Sequence, residues 1–191
     1  MKRLIIAAVL ALASATAQAQ EPKWIYQQGT PNQHNAVRGM MVGTMPAVGL
    51  KRARLFAPFT VSSPAVLGGV VLPISGEGLI VELGTGRKAV RTDLDHPQVV
   101  APPKILARAP VQGQGSASAD TTVPIPGGVE LVPGQQYFLI LTAADLDKFA
   151  GGWRTDENVL SAAGVVREDG SWYLERGNRP GGPPFALYAA P

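Results

Sequence analysis

The chain of 191 residues contains no cysteine, which excludes disulfide bonds, cysteine-based catalysis and a lipid anchor on a cysteine. Its formal net charge of +3 falls to +1 when residues 1–19 are set aside, because Lys2 and Arg3 lie there. A charge this close to zero gives no reason to expect a nucleic-acid partner.

The first 19 residues have the pattern of a secretory signal peptide. Lys2 and Arg3 are followed by the apolar stretch 4–13 and then by the small-residue site Ala17-Gln18-Ala19. A bilayer-spanning helix needs about 20 apolar residues, so this stretch is too short to serve as one. The sequence therefore predicts cleavage after Ala19 and a soluble periplasmic or secreted protein with no membrane anchor after cleavage.

Short apolar runs, rich in Val, Leu and Ile and bounded by Gly and Pro, recur along the remaining chain. Runs of this length between turn residues are typical of strands, and no helices alternate with them. We therefore predict an all-β fold, an antiparallel β-sandwich. One short helix is possible at 142–149, a segment that fits a loop equally well. The predicted strands are 67–74, 79–83, 105–109, 129–132, 137–142, 165–168, 171–174 and 185–188.

Two connections are predicted from turn residues. The link 75–78 is short enough to join its flanking strands as antiparallel neighbours. Asp169-Gly170 predicts a hairpin with a two-residue type I′ turn. Side chains alternate along a strand, so Trp172 and Tyr173 face opposite sides, and we expect Trp172 to point inward.

The chain divides by composition into three parts. After the signal peptide, residues 20–54 are predicted to form an N-terminal arm and loop, because 27–50 is polar and Gly-rich. The sandwich domain is predicted to span 55–191.

Several stretches in this second part resemble secreted bacterial jelly-roll domains of the galactose-binding-like, choice-of-anchor type. The resemblance implies a jelly-roll sandwich and a noncatalytic role in glycan binding or adhesion. Domains of this type often carry a structural calcium ion. The stretches that carry the resemblance are Phe59-Thr60-Val61, 67–72, 129–141, Gly151-Gly152-Trp153, Gly170-Ser171-Trp172 and 185–188.

The best candidate for a glycan site is the segment 151–158, interpreted as a loop. An aromatic ring there could stack on the C–H face of a sugar while polar neighbours bond its hydroxyls. The alternative is that Trp153 closes the end of the sandwich core, since tryptophan is highly buried on average. The predicted ligand-binding residues are Trp153, Arg154, Asp156, Asn158 and, from the hairpin, Tyr173.

Asp145 and Asp147 have the i, i+2 spacing that can share a calcium ion, although solvated loop acids would show the same spacing. We expect no other cofactor. We also expect no enzyme, because the chain has two histidines and no Gly-x-Ser-x-Gly motif. The predicted function is an exported binding module for an envelope or extracellular glycan. The alternative is a structural component of the envelope that docks on a protein partner through an edge strand or through 27–50.

Overall fold

Antiparallel strands make up most of the described chain. The computed structural model describes residues 23–29, 36–86, 98–100, 102–112, 120–160, 164–166, 168, 170–174 and 180–191. Its strands are β1 Trp24–Gln28, β2 Ala36–Met45, β3 Leu50–Thr60, β4 Ala65–Leu72, β5 Ile74–Gly76, β6 Leu79–Thr85, β7 Gln98–Val100, β8 Lys104–Pro110, β9 Thr121–Leu131, β10 Gln136–Ala143, β11 Phe149–Leu160, β12 Gly164–Val166, β13 Trp172–Leu174, β14 Pro180–Gly182 and β15 Phe185–Ala189. The one helical element in these ranges is a 3₁₀ turn, Pro46–Val48, and no helix in them is long and apolar enough to cross a bilayer.

The strands form two sheets that pack as a sandwich, which confirms the predicted fold class. The small sheet has the strand order β1-β15-β4-β9. The large sheet runs β14-β11-β2-β3-β10-β6-β8, with β5, β7, β12 and β13 attached beside this path. Because β1 pairs with β15, the first and last described strands lie side by side.

The main core lies between the two sheets and follows from side-chain alternation. In β10, Tyr137, Leu139 and Leu141 point into this core, while Phe138 and Ile140 point to the other side of the large sheet. Both sets are buried, which explains why β10 is an unbroken apolar run rather than an alternating one.

A second, smaller core covers part of the outer face of the large sheet. It consists of Phe56, Phe138, Ile140, Val166 and Trp172. Strand β12 pairs with β3, β13 with β12 and β7 with β13, so these three short strands hold Trp172 against the Phe56 ring at 4.9 Å between ring centroids. The inward position of Trp172 is thereby confirmed. We call β12, β13 and β7 the cover strands.

The predicted hairpin is present, but its turn is not the two-residue type I′ turn. A turn at Asp169-Gly170 would pair Val166 with Tyr173, whereas the structure pairs Val166 with Trp172. The longer connection still contains Gly170 at a φ of 80°, in the region that favours glycine. The two apolar strands were therefore recognisable, and the register between them was not.

The prediction that 75–78 joins neighbouring strands is wrong. Strand β4 lies in the small sheet and β6 in the large one, so the chain changes sheets at this point. The three-residue strand β5 makes the crossing by pairing with β11. The Pro73 carbonyl accepts the backbone N–H of Arg154 at 2.9 Å, which ties this corner to β11 as well.

The prediction that 20–54 is an arm and loop is also wrong for its described residues. Strand β1 is part of the small sheet, and β2 lies between β11 and β3 in the large sheet. The predicted domain start at 55 falls inside β3. In β2, tertiary pairing overrides the weak local propensity of a glycine-containing segment, because a strand between two neighbours has both sides hydrogen-bonded. The segment 142–149 holds the end of β10, a loop and the first residue of β11, and no helix.

Candidate functional site

Trp153 lies in the main core, so the core interpretation of this residue is confirmed. Its side chain is 0% exposed, and its ring packs edge-on against Phe185 at 5.8 Å between centroids. The indole Nε1 donates a hydrogen bond to the backbone carbonyl of Pro184 at 3.1 Å, which satisfies its polar atom. A ring without exposed surface cannot stack on a sugar, so the interpretation of Trp153 as a glycan platform is wrong.

The other predicted ligand-binding residues do not assemble around Trp153. The segment that contains them is strand β11, not a loop. Asp156 is buried and has an interaction partner, and Arg154 follows Trp153 on the opposite side of the strand. Asn158 lies further along β11, and Tyr173 lies on β13 among the cover strands. The structure therefore does not bring these residues to one accessible site.

Asp145 and Asp147 are paired with cationic side chains of the same chain. Lys148 Nζ lies 3.0 Å from Asp145 Oδ2, and Arg52 Nη1 lies 3.0 Å from Asp147 Oδ1. The hydrogen bond from Lys148, followed by that from the Asp147 backbone N–H, holds the pKa of Asp145 below its usual value. Across the described ranges, no three His, Cys, Asp or Glu side chains are grouped as metal ligands would be. The calcium prediction gains no support from this geometry.

The outer face of the small sheet carries a row of residues that the sequence analysis did not select. Trp24 of β1 is paired with Tyr188 of β15, Tyr188 with Gly69 of β4, and Gly69 with Pro124 of β9. The neighbours of these residues along each strand, such as Leu187 and Val70, point into the main core. By alternation, the four paired residues face outward, and they cross all four strands at one level of the sheet. We call Trp24, Tyr188, Gly69 and Pro124 the platform row.

The Tyr188 ring lies across the backbone of Gly69. A Cβ added at Gly69 would overlap the ring and the hydroxyl of Tyr188, so only glycine leaves room for the ring to rest on the sheet. Partial burial against this surface raises the pKa of the Tyr188 hydroxyl. Beside it, Trp24 is 41% exposed, the most exposed of the tryptophans in the described ranges. The two adjacent positions thus present one flat ring and one accessible ring.

The level of the small sheet next to the platform row has polar residues at two of its corners. The next outward level of the sheet pairs Gln27 with Ala186, Ala186 with Val71, and Val71 with Thr122. Gln27 and Thr122 are exposed, so an amide and a hydroxyl lie at opposite edges of this level. Neither level contains a charged residue. These two levels therefore combine aromatic surface with uncharged hydrogen-bonding groups at the edges, while Ala186 between those groups is fully buried.

This row was not predicted from the sequence, because its members come from four separate parts of the chain. Trp24 fell in the predicted arm, and its partner Tyr188 is near the other end of the sequence. One signal was available. In Phe185-Ala186-Leu187-Tyr188, alternation predicts that Tyr188 faces away from the buried side of β15.

Comparisons of the chain with models of known protein families and with curated protein sequences find no match. The resemblance to galactose-binding-like domains therefore stays a prediction. The candidate site rests on the geometry of the small sheet alone.

Proposed function

We propose that this chain is an exported, noncatalytic binding module that contacts a glycan through the outer face of its small sheet. The observation that carries the proposal is the pair formed by the accessible Trp24 ring and the Tyr188 ring that lies flat on Gly69. The signal-peptide pattern of residues 1–19 supports its placement in the periplasm or outside the cell.

The chemistry of the face fits a sugar. The C–H groups on a pyranose face carry slight positive charge and are attracted to the negative face of an aromatic ring. Tyr and Trp rings are rigid, so ordering them costs little conformational entropy on binding. Gln27 and Thr122 supply uncharged donors and acceptors for hydroxyl groups at the edges of the same face.

Truncation of the accessible ring tests the proposal. Trp24→Ala should weaken glycan binding at least tenfold, which corresponds to about 1.4 kcal/mol. The stability of the fold should fall by less than after truncation of a core tryptophan, because the ring is 41% exposed. A glycan array of the mature protein identifies the ligand, and titration calorimetry with that ligand measures the loss.

Phe149→Ala is the matched control, since Phe149 is an exposed aromatic residue, 52% accessible, on β11 of the large sheet. We expect this variant to bind as the parent does. Equal losses in Trp24→Ala and Phe149→Ala would contradict the proposed location, and a parent that binds no glycan on the array would contradict the function.

The alternative, an envelope component that docks on a protein, is favoured by a different observation. Val66 and Val132 are 45% and 53% exposed near the end of the small sheet at which β4 begins. Exposed apolar residues of this kind are typical of protein contacts when they are contiguous. Capture of an envelope protein by the parent, lost in Val66→Asp and kept in Trp24→Ala, would favour this second function.

A further inference from the structure

We infer that the ligand is a neutral, extended polysaccharide with equatorial linkages, bound along its interior so that its axis crosses the strands of the small sheet. This inference rests on the proposed function and adds the ligand class and its direction. It depends on three observations: the span of the platform row, its open ends and its lack of charge.

The span of the row exceeds what one sugar ring covers. Trp24 lies on the edge strand β1 and Pro124 on the opposite edge strand β9, with Tyr188 and Gly69 between them. Three steps between neighbouring strands cover about 14 Å, at about 4.8 Å per step. A ligand that contacts Trp24 and Pro124 at once must therefore contain several sugar residues. Its chain must run across the strands rather than along them.

The row has low relief and no described wall at either end. Gly69 in its middle has no side chain, and the Tyr188 ring lies against that backbone instead of standing away from it. The edge residues Trp24 and Pro124 are both exposed. A surface that is flat and open at both edges accepts the interior of a polymer and does not require a chain end. Equatorially linked pyranoses fit it, because they form extended ribbons that present apolar C–H faces.

The charge distribution excludes a role for ion pairing along the row. Among the described outward-facing strand residues of the small sheet, Glu130 is the charged one, paired with Val66 rather than with any member of the row. A position level with Val66 lies about 10 Å along the strand from Gly69. Lys23 precedes Trp24 and by alternation points to the other side of β1. A uronic acid or sulfated polymer would therefore find no cationic partner among the described outward-facing strand residues of this sheet. A neutral polymer carries no charge that would require such a partner.

Titration calorimetry of the mature protein with defined oligosaccharides tests the inference. The probes are cellohexaose, mannohexaose, xylohexaose, the matching disaccharides, maltohexaose as a hexasaccharide with axial linkages, and polygalacturonate as an anionic polymer. We expect at least one equatorially linked hexasaccharide to bind about tenfold or more tightly than its disaccharide. Its affinity should change less than about twofold between low and high salt, because no ion pairs form.

Substitution of Pro124, at the β9 end of the platform row, tests whether the ligand runs across the strands. Pro124→Asp should weaken binding of the hexasaccharide about tenfold and leave the disaccharide unchanged, because only a long ligand reaches β9 from Trp24. Pro126→Asp places the same charge on the same strand outside the row, and its binding should match that of the parent.

The results separate this inference from the proposed function. Two outcomes would overturn the inference and leave the glycan-binding function standing, provided that Trp24→Ala abolishes the binding. The first is equal affinity for disaccharides and hexasaccharides. The second is tightest binding to polygalacturonate, weakened by salt. Equal losses in Pro124→Asp and Pro126→Asp would overturn the direction. Absence of binding to every probe and to the glycan array would overturn both.

Discussion

On the outer face of each sheet, an aromatic ring lies over a glycine of the paired strand, but the two rings differ in their surroundings. On the large sheet, the Phe56 ring occupies the place where Gly164 would otherwise carry a Cβ, and on the small sheet the Tyr188 ring does the same at Gly69. The first ring is covered by Trp172 and fully buried, whereas the second lies beside the exposed Trp24. A glycine in a neighbouring strand lets an aromatic ring lie flat in both places. The Phe56 ring is covered by a further strand and stabilises the fold, whereas none of the described strands covers the Tyr188 ring.

The largest expected effect is a loss of stability when Trp153, in the core between the two sheets, is truncated. Trp153→Ala should lower the free energy of unfolding by about 3 to 5 kcal/mol, since it leaves a large cavity and an unpaired carbonyl at Pro184. Urea denaturation followed by circular dichroism measures the change. Glycan binding should be retained below the unfolding transition. A loss of stability below about 1 kcal/mol, as at a surface site, would contradict the core position of Trp153.

The covered and accessible tryptophans should respond in opposite ways. Trp172→Ala should cost about 3 kcal/mol, because Trp172 is 5% exposed and packs on Phe56, and it should leave glycan affinity unchanged. Trp24→Ala should show the reverse order, with little loss of stability and a large loss of affinity. Equal stability losses in the two variants would mean that the two faces do not differ in the way described.

The two glycines beneath the aromatic rings allow a sharper comparison. Gly164→Ala should destabilise the fold by about 1 to 3 kcal/mol, because the Phe56 ring is enclosed and has nowhere to move. Gly69→Ala should cost less, since Tyr188 can swing toward solvent, and it should reduce glycan affinity by disturbing the flat ring. Thermal unfolding and calorimetry of both variants provide the measurements. If Gly69→Ala kept full affinity, the flat ring would not be part of the binding surface.

The smallest expected effect is a loss of stability at Gly170, in the connection between β12 and β13. Gly170→Val should destabilise by about 1 kcal/mol, since a β-branched residue is strained at a φ of 80°. No heavy atom in the described part of the chain, apart from the neighbouring residues, lies within 4 Å of the added Cβ, so the expected cost is conformational. Gly170→Asn is the control, because asparagine tolerates this region, and it should cost less. Equal melting temperatures for the parent and the valine variant would contradict the positive φ angle of Gly170.

Local pattern was enough to predict the sandwich and strands such as β4, β6, β10 and β15, because alternation and turn residues act over a few positions. Strands β1, β2, β3 and β11 were not predicted. The partners of each strand were not predictable in the same way. Chain proximity suggested that β4 and β6 pair, yet they belong to different sheets. Strand β2 was missed because its stability comes from lying between two neighbours rather than from its own residues.

The candidate site depends even more than the fold on contacts between distant parts of the chain, which local pattern does not predict. The position of Trp153 was left open between loop and core, since one sequence contains no information on what packs around the ring. The platform row was not found at all, because it depends on the registers of three strand pairs that join distant parts of the chain. Its central member is a glycine, whose role is visible only when Tyr188 is seen lying on it.

The most direct measurement is the intrinsic fluorescence of the parent and of Trp24→Phe during titration with the glycan that the parent binds. The chain has three tryptophans, and Trp153 and Trp172 are buried away from the small sheet's outer face. We predict that the ligand shifts the emission of the parent and protects it from acrylamide quenching. Trp24→Phe should show neither change while it still binds through the smaller ring at position 24 and through Tyr188. The same spectral change in Trp24→Phe as in the parent would contradict the account.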